Sequence, residues 1–161
     1  MAQPRFAPED AVALAGFAGV SLSAAALARP RDHDDVPYAL ARRPSWQLPD
    51  RVMGPAWMAE FGVIGLSGWA AWRGHAGALP FALWGTYLVG NSLGTRAHLR
   101  LRQQPWRNAA GAAVLALFAW AVGRKSPLAA ALMVPSIGWL AYVSAAAGAL
   151  NHKNPVLAGL F

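Results

Sequence analysis

Glu60 is the one ionisable side chain among the 21 residues that separate Arg51 from Arg73. A carboxylate inside an apolar run costs roughly 2.5 to 3.5 kcal/mol on membrane-insertion scales unless it is neutral or paired, so it is expected to face protein or water. Trp57 precedes it by one helical turn and shares its face. Asn91 is an amide in a second apolar run and Trp139 an indole in a third. The amide can hydrogen-bond a bound molecule or a neighbouring helix, the latter for roughly 0.6 to 2 kcal/mol. An indole offers a large flat face and a single N–H donor, a combination that suits stacking on a planar molecule. Most tryptophans of membrane proteins serve instead as interfacial anchors or packing groups, and that is the expectation for Trp69, Trp84, Trp106 and Trp120.

Other chemistry is thinly represented. The sequence holds no phosphate-cradling glycine loop, paired-histidine metal motif or serine-nucleophile motif, so conventional enzyme chemistry has no support. Asp32, His33, Asp34 and Asp35 are acidic enough for a divalent cation but lack ligand spacing on a rigid element, so a solvated loop without a metal is expected. With no cysteine, neither a disulfide framework nor a thiolate metal site exists. A net charge of +7 raises the question of nucleic acid. Its distribution argues against that partner: Arg29, Arg31, Arg42, Arg43 and Arg51 form one cluster and Arg96, Arg100, Arg102 and Arg107 another, each bounded by apolar runs. Basic loops between apolar runs are a topology signal.

The elements that must position these residues follow from the same charge spacing. Hydrophobic residues make up 56% of the 161 and charged ones 13%, which points to lipid as solvent. The charges mark off five runs, predicted as transmembrane helices over roughly 11–28, 52–72, 76–95, 108–123 and 127–150, with a long loop over 29–51. The predicted fold is therefore an all-α membrane protein, a single five-transmembrane-helix bundle in the lipid bilayer. Most prolines fall near predicted boundaries, Pro55 among them, whereas Pro135 lies well inside the fifth run and is expected to kink it and turn a carbonyl toward the packed interior. The 29–51 loop, the 96–107 loop and the C-terminus together hold most Lys and Arg, which predicts N-out and C-in. Ala26-Leu27-Ala28 resembles a cleavage pattern, but Glu9 and Asp10 stand where a signal peptide carries basic residues, so the first run is expected to remain as a span.

The most specific stretch is Tyr38-x5-Pro44-Ser45-Trp46-x2-Pro49-x7-Trp57. It resembles the TspO/MBR family, the tryptophan-rich membrane proteins also called peripheral-type benzodiazepine receptors, whose first loop reads W-Y-x-x-L-x-K-P-x-W-x-P-P and runs into V-W-x-x-L-Y-x-x-M-G. Arg43 stands for the lysine, Phe61 for the helix tyrosine, and Gly65 and Trp72 fall at matching spacing. Asn91 fits the N-x-x-W of the third helix, and Val134-Pro135-Ser136-Ile137-Gly138-Trp139 fits the L/V-P-Y-x-x-W of the fifth. Departures are Leu48 for the first loop proline, Gly94 for the tryptophan after Asn91, Arg96 for a common proline, His98 for an aromatic and Ser136 for a tyrosine. The family usually has an apolar residue where this chain has Glu60. The cholesterol-recognition pattern is not recognisable, because Tyr142 has no Lys or Arg within five residues after it.

The resemblance implies a cavity lined by Trp57, Trp139 and Asn91 and covered by the first loop through Tyr38, Trp46 and Pro49, taking porphyrin, haem-like or other flat hydrophobic ligands and needing no resident cofactor. It implies binding and sensing as the leading role, with light-dependent porphyrin degradation, tetrapyrrole transport or a purely structural membrane role as alternatives. Glu60, Arg96 and His98 are further candidates: Arg96 or His98 is a partner for Glu60, and His98 could contact a haem metal while Arg96 pairs with a propionate. Gly90-x-x-x-Gly94 is a small-residue strip suited to close helix approach, either inside the monomer or in a homodimer through the third helix.

Overall fold

The computed structural model describes residues 6–28, 41–97 and 105–155. Among them the chain forms five helices: α1 (Pro8–Leu27), α2 (Asp50–Arg73), α3 (Ala78–Ala97), α4 (Pro105–Gly123) and α5 (Pro127–Lys153). At 1.5 Å per residue they run from roughly 28 to 40 Å, enough to match the roughly 30 Å hydrocarbon core of a bilayer. α4 packs on α5 and on α3, α1 on α2, and α2 on α5, closing a bundle around Phe61, Ile64, Leu115, Phe118, Met133 and Leu140, all fully buried.

Local chemistry sets the helix ends. Pro8 opens α1, where a missing N–H loses nothing, and Glu9 and Asp10 occupy its positive first turn. The Asp10 carboxylate accepts the Ala7 N–H at 2.9 Å, capping the start. α5 opens with the Ser126 hydroxyl accepting from the Ala129 N–H at 3.3 Å and with Pro127 at its first position, and closes on His152 and Lys153, which complement its negative end. His75 (φ 50°) and Gly77 (φ 87°) make the turn from α2 to α3 in the left-handed region.

One end of the bundle is held by an ion pair. Arg73 Nε meets Asp10 Oδ1 at 3.1 Å, the Arg73 guanidinium lies over the Trp69 ring, and the Trp69 indole donates to the Asp10 carbonyl at 3.1 Å. Asp10 is almost fully buried, so it gains from the ion pair and the cap at once. Asp10→Ala is expected to lower stability by about 2 kcal/mol. Equilibrium unfolding by SDS titration in mixed micelles measures it, and a change below about 0.5 kcal/mol would contradict this assignment. The Ser126 hydroxyl also donates to the Ala70 carbonyl at 3.0 Å, which brings the start of α5 to the same end.

A close helix approach inside the bundle occurs at Gly65 and Gly68. A Cβ on Gly65 would stand 3.0 Å from Ala18 Cα and 3.1 Å from the Phe17 carbonyl oxygen, so the α1 backbone lies directly on α2 there. A Cβ on Gly68 would stand 2.8 Å from the Phe17 ring and 2.9 Å from Trp84 Nε1. Gly90, by contrast, is exposed with nothing within 4 Å of an added Cβ, so among the described residues it packs no helix. Gly94 lies in α3, but its surroundings are outside the described residues.

Two proline expectations are also corrected. Pro55 is not at a boundary but inside the second turn of α2. α5 continues unbroken through Pro135, and both Pro135 and Ala131, whose carbonyl loses its usual partner, are exposed. The unsatisfied carbonyl therefore belongs to the outer side of the helix, not to the interior.

Candidate functional site

Toward the end of the bundle opposite the Asp10–Arg73 pair, two groups of polar and aromatic side chains are assembled. The first joins α2 and α3. Trp57 and Phe61 are successive rings along α2, 5.3 Å apart at their centroids, and Phe61 lies 6.2 Å from Tyr87 of α3. Beside them the Tyr87 hydroxyl donates to Glu60 Oε1 at 2.8 Å and accepts from Asn91 Nδ2 at 3.1 Å. Asn91 reaches Tyr87 because the two are four residues apart on one helix face. Tyr87 fits because Gly111 of α4 faces it; a Cβ there would be 3.3 Å from its ring.

The second group joins α5 to the segment before α2. Trp139 lies 5.5 Å from Tyr142, one turn further along α5, and Tyr142 meets the edge of Trp46 at 5.8 Å. The Tyr142 hydroxyl accepts the Leu48 N–H at 2.7 Å. Further along, Asn154 accepts from the Arg42 N–H at 2.8 Å and donates to the Arg42 carbonyl at 3.0 Å, while Arg43 pairs with Asp50 at 2.8 Å. Between these two contacts the chain turns, the Gln47 N–H donating to the Pro44 carbonyl at 3.1 Å. Residues 42–48 cross the last turns of α5 as a strap, pinned at both ends. Pro49, in extended geometry, ends the strap and caps α2.

Three buried polar atoms near these groups meet no hydrogen-bond partner among the described residues: Glu60 Oε2, Ser136 Oγ and Trp139 Nε1. Ser136 and Trp139 are one turn apart on α5, so the two lie on one face. Leaving a buried donor or acceptor unpaired costs about 1 to 3 kcal/mol, which makes such atoms natural contact points for a bound molecule.

Trp57, Asn91 and Glu60 are thus brought together, and Trp139 is brought together with Trp46. Trp57 and Trp139 are both half-buried, and neither ring stacks on the other. Trp46 is half-exposed on the strap. Among the described residues the partner of Glu60 is Tyr87. The Arg96 side chain, His98, Tyr38 and the 32–35 cluster lie outside the described residues. Among the described residues no cluster suited to a metal ion occurs. Trp69 and Trp84 are packing groups with bonded indoles, Trp84 donating to the Ile64 carbonyl at 3.1 Å, while Trp106 and Trp120 are exposed on α4. Sequence reasoning missed Tyr87 and Tyr142, although the spacings Tyr87/Asn91 and Trp139/Tyr142 marked both as lying on the faces that matter.

The model of the TspO/MBR family matches residues 11–152, nearly the whole chain and both groups. The chain belongs to the TspO/MBR family. The human translocator protein is 30% identical to it over 117 residues, covering 66% of this chain and 68% of the human one. The translocator protein of Bos taurus is 27% identical over 126 residues, covering 72% and 71%. The resemblance carried by the Pro44–Trp57 loop and the α5 motif is thereby confirmed. TspO/MBR proteins are integral membrane proteins, and in this one α1 and α5 are long and apolar enough to cross a bilayer. α2 carries Asp50, Arg51, Glu60 and Arg73, α3 carries Pro80, Tyr87 and Asn91, and α4 opens on Pro105-Trp106-Arg107-Asn108, which lowers hydropathy without shortening the helices.

Proposed function

We propose that this TspO/MBR protein crosses the membrane with all five helices, N-out and C-in, and captures a flat hydrophobic ligand of the porphyrin or haem class between Trp57 and Trp139 beneath the 42–48 strap, for binding and sensing. The observation that carries the reading is the buried Trp139 indole N–H, which meets no acceptor among the described residues and stands next to the ring that pins the strap. A ligand acceptor would satisfy that donor while the indole face stacks on the macrocycle. Because Tyr142 touches both Trp139 and Leu48, displacement of the indole on binding would be felt by the strap, which supplies the sensory element. No resident cofactor is required for any of this.

Protoporphyrin titrated into the protein in phosphatidylcholine nanodiscs, with empty discs subtracted, tests the reading. Saturable binding is expected, weakened about tenfold or more in Trp57→Ala, since one base-sized aromatic stack is worth about 1 to 3 kcal/mol. Linear partitioning indistinguishable from empty discs, or unchanged affinity in Trp57→Ala, would contradict it.

The outer face of α3 supports a second part of the proposal, a homodimer. Thr86, Val89, Gly90 and Leu93 are all exposed, so the small-residue strip is open to a second copy rather than spent inside the monomer.

A further inference from the structure

The Glu60 carboxylate is a feature of the site that the family resemblance does not account for. Asn91 donates to the Tyr87 hydroxyl, and that hydroxyl donates to Glu60 Oε1, so both donors point the same way and the chain terminates on the carboxyl group. Its second oxygen, buried in a residue only 5% exposed, meets no partner among the described residues. The ion pairs among the described residues, Arg43–Asp50 and Arg73–Asp10, lie away from it near the helix ends, so neither supplies a counter-charge. A carboxyl group buried at this depth is stabilised by a cation or a strong donor. Tyr87, which bonds it, lies 6.2 Å from the Phe61 ring, and Phe61 lies 5.3 Å from Trp57, so a run of three rings leads away from the carboxyl group. Aromatic faces beside an acceptor oxygen are the chemistry that holds an organic cation.

We infer that Glu60 Oε2 selects ligands that carry an N–H donor or ammonium on a flat aromatic frame, so that the site takes heteroaromatic cations and N–H-bearing rings in preference to equally flat hydrocarbons. The inference rests on the ligand site proposed above and deepens it by naming the ligand's polar group. Asn91 and Tyr87 act as positioning residues: they fix the carboxyl rotamer and leave one oxygen for the ligand.

The test compares two probes of the same tricyclic outline in phosphatidylcholine nanodiscs, with empty-disc partitioning subtracted. 9-Aminoacridine is protonated and carries N–H donors; 9-methylanthracene carries none. The native protein is expected to bind 9-aminoacridine at least about tenfold more tightly, since a hydrogen bond to a charged group is worth about that much or more. Glu60→Gln is expected to remove that preference while leaving 9-methylanthracene within about twofold, and Tyr87→Phe, which keeps the carboxylate but frees its rotamer, to reduce the preference without removing it. Equal affinity of the native protein for the two probes overturns the inference without any variant. So does a Glu60→Gln effect that is equal for both. If both probes bind with equal affinity and Trp57→Ala weakens both, the site itself stands and only the role of Glu60 is lost. If neither binds saturably, the ligand site fails and the inference with it.

Discussion

Trp139→Phe is expected to weaken protoporphyrin binding by about tenfold or more while leaving the ligand-free protein as stable as before, or more so. The two effects have one origin. The indole N–H is buried without an acceptor among the described residues, so the ligand-free protein bears a desolvation cost of about 1 to 3 kcal/mol that a ligand acceptor would relieve. Phenylalanine keeps an aromatic face against Tyr142 and removes the donor, so the relief on binding disappears. Trp84→Phe is the contrasting control: its N–H already donates to the Ile64 carbonyl at 3.1 Å, and its ring meets that of Phe17 edge-on at 5.2 Å. That substitution is expected to cost stability and leave affinity unchanged. Porphyrin titration together with SDS unfolding of both variants separates the cases. If Trp139→Phe loses stability and keeps its affinity, the residue is packing alone.

The second large effect is on assembly of the bundle. Gly65→Leu is expected to destabilise the protein by about 3 kcal/mol or more, because the new side chain would meet backbone atoms of α1, which cannot rotate away as a side chain can. Even an alanine there would place its Cβ 3.0 Å from Ala18 Cα, so the two helices must separate. Gly90→Leu, on a face with open space, is expected to change monomer stability by less than about 1 kcal/mol, with the gain in helix propensity partly offsetting any loss. If α3 pairs with a second copy through that strip, the same Gly90→Leu variant abolishes the dimer. Unfolding and chemical crosslinking of the two variants read both outcomes. Equal destabilisation by Gly65→Leu and Gly90→Leu would refute the assignment of the close approach to α1 and α2.

That pair of glycines shows what a sequence can and cannot say about such a bundle. Both stand in helices beside other small residues, and nothing in composition tells which faces a partner; that depends on the rotation of each helix about its axis. The same rotation decides contacts between spans. Asp10 with Arg73 and Glu60 with Tyr87 are 63 and 27 residues apart, and neither pairing leaves a local trace. The helices themselves were legible because charged residues punctuate them at membrane-length intervals, even where polar residues such as Asn91, Arg107 and Asn108 keep the hydropathy of α3 and α4 low. Trp57, Asn91, Trp139, Trp46 and Pro49 were legible because they sit in spaced motifs. Tyr87 and Tyr142 were passed over because a tyrosine in an apolar run reads as packing until its hydroxyl is seen to bind Glu60 in one case and the Leu48 N–H in the other. Pro135 misled for a related reason: its position in the span was evident, but the face it occupies was not.

Fluorine NMR of protein labelled with 5-fluorotryptophan tests most directly whether one planar ligand meets both indoles. Assigning the Trp57 and Trp139 resonances by Trp57→Phe and Trp139→Phe, and then adding protoporphyrin, should shift both signals together. Both are expected to saturate at the same ligand ratio, while the signals of exposed Trp106 and Trp120 hold still. Movement of Trp106 and Trp120 alone, with Trp57 and Trp139 fixed, would place the porphyrin on the outer surface of the bundle and contradict an internal site.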